Sequence, residues 1–414
     1  MDFVFRPFDE SKDVDAYSLS IAEAFAADEK RVIEWIKLCK VENIRVVEVD
    51  GTLAGTTVMA PMGQYFGSRS VPMIGVAGVT IRPEFRGKGV AKRMIAAAVQ
   101  EMAATGTALS TLYPSTMPLY QSCGYEMAGV NHEFEFQFEH LPDARLNRLA
   151  ELGLEVVPGS REQESEIRAL YHQVAQSQDG MLDRQDYIWQ RILEPRDKAG
   201  RIYLIRDRAS GALRAYLVIS QEAPPDFDGW HQVNLHCVQA TDPDAWQAVF
   251  AFLRSYQSMA RRLVASIDTR HPLYQLMPEQ RDPLKLKESW MTRILNVKKA
   301  LEARGYAPGL NAELQFEIED PLIERNHGVW RLQITDGRGS VQKLDELPRD
   351  WTAAAQSPAD GTVCAQIRHL VPLYSGYLNA ELLAQTGRIG CSAATQRLAS
   401  SIFAGPAPWM PDFF

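Results

Sequence analysis

The chain of 414 residues contains no apolar run approaching the 20 or so residues that span a bilayer, so no membrane segment is expected. Cysteine is scarce and scattered. Cys39, Cys123, Cys237, Cys364 and Cys391 are odd in number and never form C-x-x-C, which argues against a disulfide framework or a zinc site and fits reduced thiols. The eight histidines show no ligand spacing, so no metal is expected. Positive charge is not in excess: the formal net charge of -8 argues against a nucleic-acid partner. G-x-S-x-G, H-E-x-x-H and the dinucleotide fingerprint are missing, which sets aside a hydrolase or dehydrogenase. Met1 to Val14 is broken by Arg6, Asp9, Glu10, Lys12 and Asp13 and lacks the apolar core of a signal peptide, so the expectation is a cytoplasmic protein.

What is present is an ordinary globular composition, 46% hydrophobic and 23% charged, with length enough for about three domains of ~150 residues. The most informative stretch runs from Val71 to Tyr125. Val71 to Ile81 is β-branched and stops at Arg82-Pro83, which predicts a strand. Arg86-Gly87-Lys88-Gly89-Val90-Ala91 then opens a helix of about 16 residues, with Val90, Met94, Ile95, Ala98, Val99 and Met102 on one face and Gly106 as its stop. A strand feeding a glycine turn and a helix N-terminus suits an anion, because unpaired N–H groups and the positive end of the helix dipole converge there. The pattern is not a P-loop, and Lys92 stands where a dinucleotide fingerprint needs its third glycine. It reads R-x-x-G-x-A, which resembles the coenzyme A signature of the GNAT acetyltransferase superfamily.

Upstream, Asp2 to Arg6 reads as an edge strand, Ser11 to Leu38 as helical, and Ile44 to Val49 with Thr52 to Pro61 as a hairpin about Asp50-Gly51. Downstream, a strand is expected near Thr107 to Tyr113 and another over Glu126 to Glu139, carrying Phe134, Phe136 and Phe138. After a polar linker, Leu141 to Leu152, the order of elements echoes the first unit. The helix expected from Asp244 follows Thr241-Asp242-Pro243, with carboxylates and no glycine, so this second unit is expected to bind no coenzyme. From Thr292 onward a helix ending at Gly305 precedes an antiparallel meander, Ala312 to Ile318, Gly328 to Ile334 and Ser340 to Leu344, with turns at Asn326-His327-Gly328 and Asp336-Gly337. This last unit resembles the sterol carrier protein fold.

The three units in this order resemble the Eis (enhanced intracellular survival) family of N-acetyltransferases. The resemblance implies an α/β fold with mixed sheets: tandem GNAT units, the first active (1–140) and the second degenerate (141–291), followed by a sterol-carrier-like α+β domain (292–414). It implies acetyl-CoA as co-substrate, contacted by Val79, Thr80 and Ile81, by Gly87, Lys88, Gly89, Val90, Ala91 and Lys92, and by Ser115 and Thr116. Tyr120 is the implied general acid and the C-terminal carboxylate of Phe414 the implied general base. A small-molecule or lysine-type amine as acceptor and a hexamer are implied too.

The residues fit these roles. A tyrosine hydroxyl, with a pKa of about 10, can give a proton to a leaving thiolate, and a Pro118-fixed loop past the coenzyme strand favours Tyr120 over Tyr113 or Tyr125. The tail, Gly405 to Phe414, holds three prolines and three aromatic rings, which predicts packing where most termini fray. Asp28, Glu29, Trp35 and Asp412 are candidates for gripping a cationic amine. The alternative function is a lipid-binding or scaffold protein working through the last domain.

Overall fold

The computed structural model describes residues 2–195, 200–223, 229–348, 350–353 and 358–414, and two sheets organise them. In the larger sheet β1 (Phe3–Pro7), β2 (Ile44–Val49), β3 (Thr52–Phe66) and β4 (Arg69–Ile81) form an antiparallel meander, with α1 (Val14–Phe25) and α2 (Glu29–Cys39) between β1 and β2. Asp50 and Gly51, at φ 50° and 79°, close the β2–β3 hairpin in the left-handed conformation a two-residue turn needs. Helix α3 (Val90–Ala104) crosses over and returns β5 (Leu109–Leu112) parallel to β4. It forms because Val90, Met94, Ile95, Ala98, Val99 and Met102 recur at helical spacing and are all buried. Helix α4 (Met117–Gln121) and β6 (Glu126–Gln137) follow.

The next stretch comprises β7 (Leu154–Gly159), α5 (Glu164–Ala175), β8 (Leu182–Asp183), α6 (Asp186–Leu193), β9 (Arg201–Asp207), β10 (Leu213–Glu222), β11 (His231–Ala240), α7 (Pro243–Arg254), β12 (Ala260–Ile267), α8 (Pro272–Gln275) and β13 (Leu284–Ile294). Strands β9, β10 and β11 form a meander, α7 crosses over, and β12 returns parallel to β11, which repeats β2 to β5. The two units share one 13-stranded sheet and exchange strands. β13, from the second unit, pairs with β5 in the register Met291↔Leu112, while β6, from the first, pairs with β12 in the register Phe136↔Leu263. The cores follow the exchange. Phe134, Phe136 and Phe138 are buried among second-unit residues, and Met291 and Leu295 pack with α3. At about 1.5–3 kcal/mol for each buried phenylalanine, the three rings of the swapped strand add roughly 5–9 kcal/mol of burial to the second unit's core.

The smaller sheet is the antiparallel meander β14 (Ala312–Glu319), β15 (Gly328–Thr335) and β16 (Arg338–Asp345), extended by β17 (Thr362–Gln366), parallel to β14, and β18 (Ile389–Gly390). Helix α9 (Val297–Ala303) precedes it; α10 (Ile367–Ser375), α11 (Ala380–Gln385) and α12 (Ala393–Ile402) follow β17. Asp336 and Gly337 make a tight hairpin, whereas Asn326 ends a longer connection and is buried, its side chain accepting the Val297 N–H and donating to Asp320. Asp320 takes Arg293 of β13 at 2.6 Å with both side chains wholly buried, and so fastens this domain to the large sheet. Among the described residues no helix is long and apolar enough to cross a membrane.

Candidate active site

Pairing between β4 and β5 runs from Met73↔Leu109 to Val76↔Leu112 and then stops. From Ala77 to Ile81, β4 keeps β3 on one edge and, among the described residues, has no strand on the other. The cause is local: the β3–β4 register slips between Thr56 and Val58, and Gly78 at the slip takes φ +55°, a glycine bulge that bends the strand. Buried hydroxyls brace it. Ser20 Oγ and Thr56 Oγ1 lie 2.7 and 2.8 Å from Thr80 Oγ1, and Thr56 donates to the Gly78 carbonyl. The Thr80 side chain is therefore committed, and only its backbone is left for a ligand.

Where the strands part lies a cleft of about 820 Å³. Val76 to Val79, Ser115, Tyr120, Trp35 and the last two residues, Phe413 and Phe414, are among those lining it. Of the expected site residues, Val79, Ser115, Tyr120 and Phe414 thus meet at one cavity. Thr80, Ile81, Thr116 and the turn Gly87 to Lys92 do not line it. In the turn Gly87 and Gly89 have φ 74° and 77°, and nothing lies within 4 Å of where a Cβ would stand, so they serve the left-handed backbone and not close packing. Gly89 is the N-cap of α3; no side chain caps the helix, no acid stands in its first turn, and Lys88 and Lys92 are exposed beside it. Uncapped N–H groups with flanking lysines fit a diphosphate. The equivalent helix α7 is different: Asp242 caps it by accepting the Ala245 N–H, and Asp244 follows.

Three tyrosines cluster here in distinct states. Tyr125 is sealed, its hydroxyl 2.8 Å from Ser110 Oγ. Tyr113 donates to the Asp412 carbonyl at 2.7 Å. Tyr120 faces the cleft; burial pushes its hydroxyl pKa above the ordinary 10, while a hydrogen bond with Ser115 pulls the other way.

The tail is threaded between the units. Trp409 donates its backbone N–H to Asp179 and its indole N–H to Gln178, and Arg270 holds the Ala407 carbonyl. Asp412 forms a two-pronged ion pair with Arg184, 2.8 Å on each arm, and Arg184 is stacked 3.7 Å above the Tyr171 ring. Three glycines make room. A Cβ on Gly129 would meet the Pro408 carbonyl at 2.7 Å, one on Gly180 the Trp409 backbone at 2.8 Å, and one on Gly75 the Phe414 ring at 2.9 Å. The expectation that Asp412 could hold a cationic amine fails, because both its oxygens are taken by a buried arginine and it does not line the cleft. Asp28 does not line it either, and the Glu29 side chain lies outside the described residues. Trp35 does line it, its indole N–H bonded to the Tyr17 hydroxyl.

Residues 5–128 and 180–294 each match an acetyltransferase (GNAT) domain family, and residues 297–411 match a sterol carrier protein domain family. The N-acetyltransferase Eis of Mycobacterium tuberculosis is 27% identical over 378 residues, 86% of this chain and 85% of that one. The chain is a homologue of the Eis N-acetyltransferases. An uncharacterized N-acetyltransferase of Streptomyces avermitilis is 25% identical over 84% of the chain and 83% of its own length. The crystal structure of a GCN5-related N-acetyltransferase from Anabaena variabilis superposes with a TM-score of 0.89 at 29% identity, covering all of both chains. The Eis homologue is thus an acyltransferase with two GNAT domains and a sterol-carrier-like third domain.

Two residues that shape this Eis homologue's site were not singled out by spacing. Gly75 sits inside a β-branched strand, and a lone strand glycine does signal close backbone approach. Arg184 lies in a polar stretch with no motif around it.

Proposed function

We propose that this Eis homologue acetylates an amine in a single ternary complex with acetyl-CoA, using Tyr120 as general acid and the Phe414 carboxylate as general base. The observation that carries the reading is that Tyr120 and Phe414 line one cleft at the point where β4 and β5 part. In this reading residues 1–140 bind the coenzyme, 141–291 form the rest of the shared sheet, and 292–414 deliver the terminal carboxylate.

The coenzyme supplies an activated acetyl thioester. Gly87, Lys88, Gly89, Val90, Ala91 and Lys92 hold its diphosphate by first-turn N–H groups and lysine charge. Val79, Thr80 and Ile81, on the edge of β4 that β5 leaves, run along the acyl arm, with the Ile81 carbonyl already held by Arg86. An N–H of this edge meets the negative charge that develops on the carbonyl oxygen, and Ser115 and Thr116 flank the sulfur. An alkyl ammonium, with a pKa of about 10, must lose a proton before it attacks. The Phe414 carboxylate takes it, directly or through a water. A free terminal carboxylate has a pKa of only about 3.5, so it is a weak base for this step, and a water relay would suit it. As the carbon–nitrogen bond forms and the carbon–sulfur bond breaks, the Tyr120 proton goes to the departing sulfur, and the second proton shed by the nitrogen as it becomes an amide passes through water to restore the Tyr120 hydroxyl. At α7 the capping carboxylate of Asp242 would repel a diphosphate, so the coenzyme is assigned to the first unit alone.

The test is thiol release from acetyl-CoA over a panel of primary amines, with coenzyme binding followed in parallel by thermal shift. Amine-dependent release is expected from the native chain. Gly89→Asp, which sets an anion against the phosphates, should lose the shift. Bound coenzyme with no amine-dependent release would overturn the proposal, as would full activity in a chain extended by a C-terminal tag.

A further inference from the structure

We infer that the acceptor amine also carries an acidic group, carboxylate or phosphate, and that Arg191 grips it. This rests on the cleft being the acceptor pocket of the proposed transfer. Among the described residues the cleft is lined by Arg31, Lys37 and Arg191 beside Glu34, Glu194 and the Phe414 carboxylate, a balanced set and not the acidic lining that would gather a polycationic acceptor. Two carboxylates that would have made it acidic are elsewhere: Asp412 is consumed by Arg184, and Asp28 does not line the cavity.

Arg191 stands in the last turn of α6, half-buried. Its guanidinium donates one hydrogen bond to the Tyr187 hydroxyl at 2.9 Å and lies 5.6 Å from the Tyr187 ring centroid and 5.8 Å from that of Phe413. These partners are neutral, and among the described residues no carboxylate sits within ion-pair distance of it. An arginine carries five N–H donors in a rigid fork, so most remain for a ligand. Held between two rings beside the chain terminus, that fork is oriented before the ligand arrives, and a carboxylate or phosphate can take two parallel bonds from it. Phe25, Trp35 and Phe413 line the same cleft as Arg191 and Tyr120 and supply apolar surface suited to an organic body linking the two charges. The substrate class is therefore an amphoteric amine, with its ammonium toward Phe414 and its acidic group toward Arg191.

The probes are phenethylamine, its para-carboxylate and para-phosphonate counterparts, and spermine, with both kcat/KM and calorimetric binding measured. The native chain should favour the acidic amines about tenfold or more over phenethylamine. Arg191→Gln should erase the preference by losing the acidic amines alone, and Arg191→Lys, with charge but no fork, should retain part of it. Equal use of acidic and neutral amines, or preference for spermine, overturns the inference. So does a uniform loss on all amines in Arg191→Gln, the behaviour of a residue that only props Phe413. If binding shows the preference while no amine is turned over, the recognition stands and the transfer proposal fails.

Discussion

Asp412 and Arg184 are joined by two 2.8 Å bonds, with side chains 3% and 1% exposed, and two residues beyond Asp412 the chain ends in the cleft at Phe414. A second-unit arginine thus anchors a third-domain tail whose last residue reaches a first-unit site.

Breaking that pair from one side leaves a buried charge without its partner. Asp412→Asn should cost about 3–5 kcal/mol of stability by urea unfolding and lower turnover with it. The double replacement Arg184→Met with Asp412→Leu should recover much of the stability and little of the activity. Recovery of both would mean that the pair does not place the terminus.

Gly75 is the floor on which the Phe414 ring rests. Gly75→Val puts atoms where that ring lies, 2.9 Å from the position of the first added carbon. Displacing a reacting group by about 1 Å can cost on the order of 100-fold, so kcat should fall by about that much while the coenzyme thermal shift is kept. Unchanged kcat would remove Phe414 from the mechanism.

Tyr120→Phe should lower kcat by about 10²–10⁴ with coenzyme affinity near that of the native chain. Because burial raises this hydroxyl above its ordinary 10, the proton-bearing form persists through that pH. The native rate should therefore show no decline below about pH 10 from loss of this proton. A falling limb near pH 8 that vanishes in Tyr120→Phe would contradict the assignment of the pKa.

His271 ties pH to stability. It is buried between Trp246 and Trp409, its Nδ1 accepts the Leu273 N–H, and burial lowers its pKa from 6.5 to about 4. A group held down in the folded state gives its full stability above its unfolded pKa and loses it as pH falls toward the folded one. The melting temperature should thus drop between pH 6.5 and 4, a loss of about 3 kcal/mol at the acid end. His271→Asn keeps a side-chain cap for α8 and should flatten that part of the profile; an unaltered slope would place the titration elsewhere.

Much of the glycine-turn end of the candidate site was legible in the sequence. The α3 face and the two left-handed glycines are set by residues within a turn or two of one another, whereas the segment bearing Tyr120, expected as a loop, is the short helix α4 with Pro118 in its first turn. Local steric limits and helical period decide such features, and both are written in the order of side chains. The second unit's carboxylate-capped helix was readable for the same reason.

The cleft end was not. Asp412 reads as a free acid in a proline-rich tail, yet its partner Arg184 lies 228 positions away. Phe134, Phe136 and Phe138 announce a half-buried strand, while the alternation that marks them carries no record of which core they enter. Strand exchange, the buried ion pair and the seat of Phe414 arise from contacts between distant segments, whose stability comes from burying surface that no short window contains. The amino-acid order alone determined a glycine turn, its helix and a candidate proton donor. Tertiary packing decided what faces that donor, because only the closed fold brings the last residue of the third domain into the gap between two strands of the first.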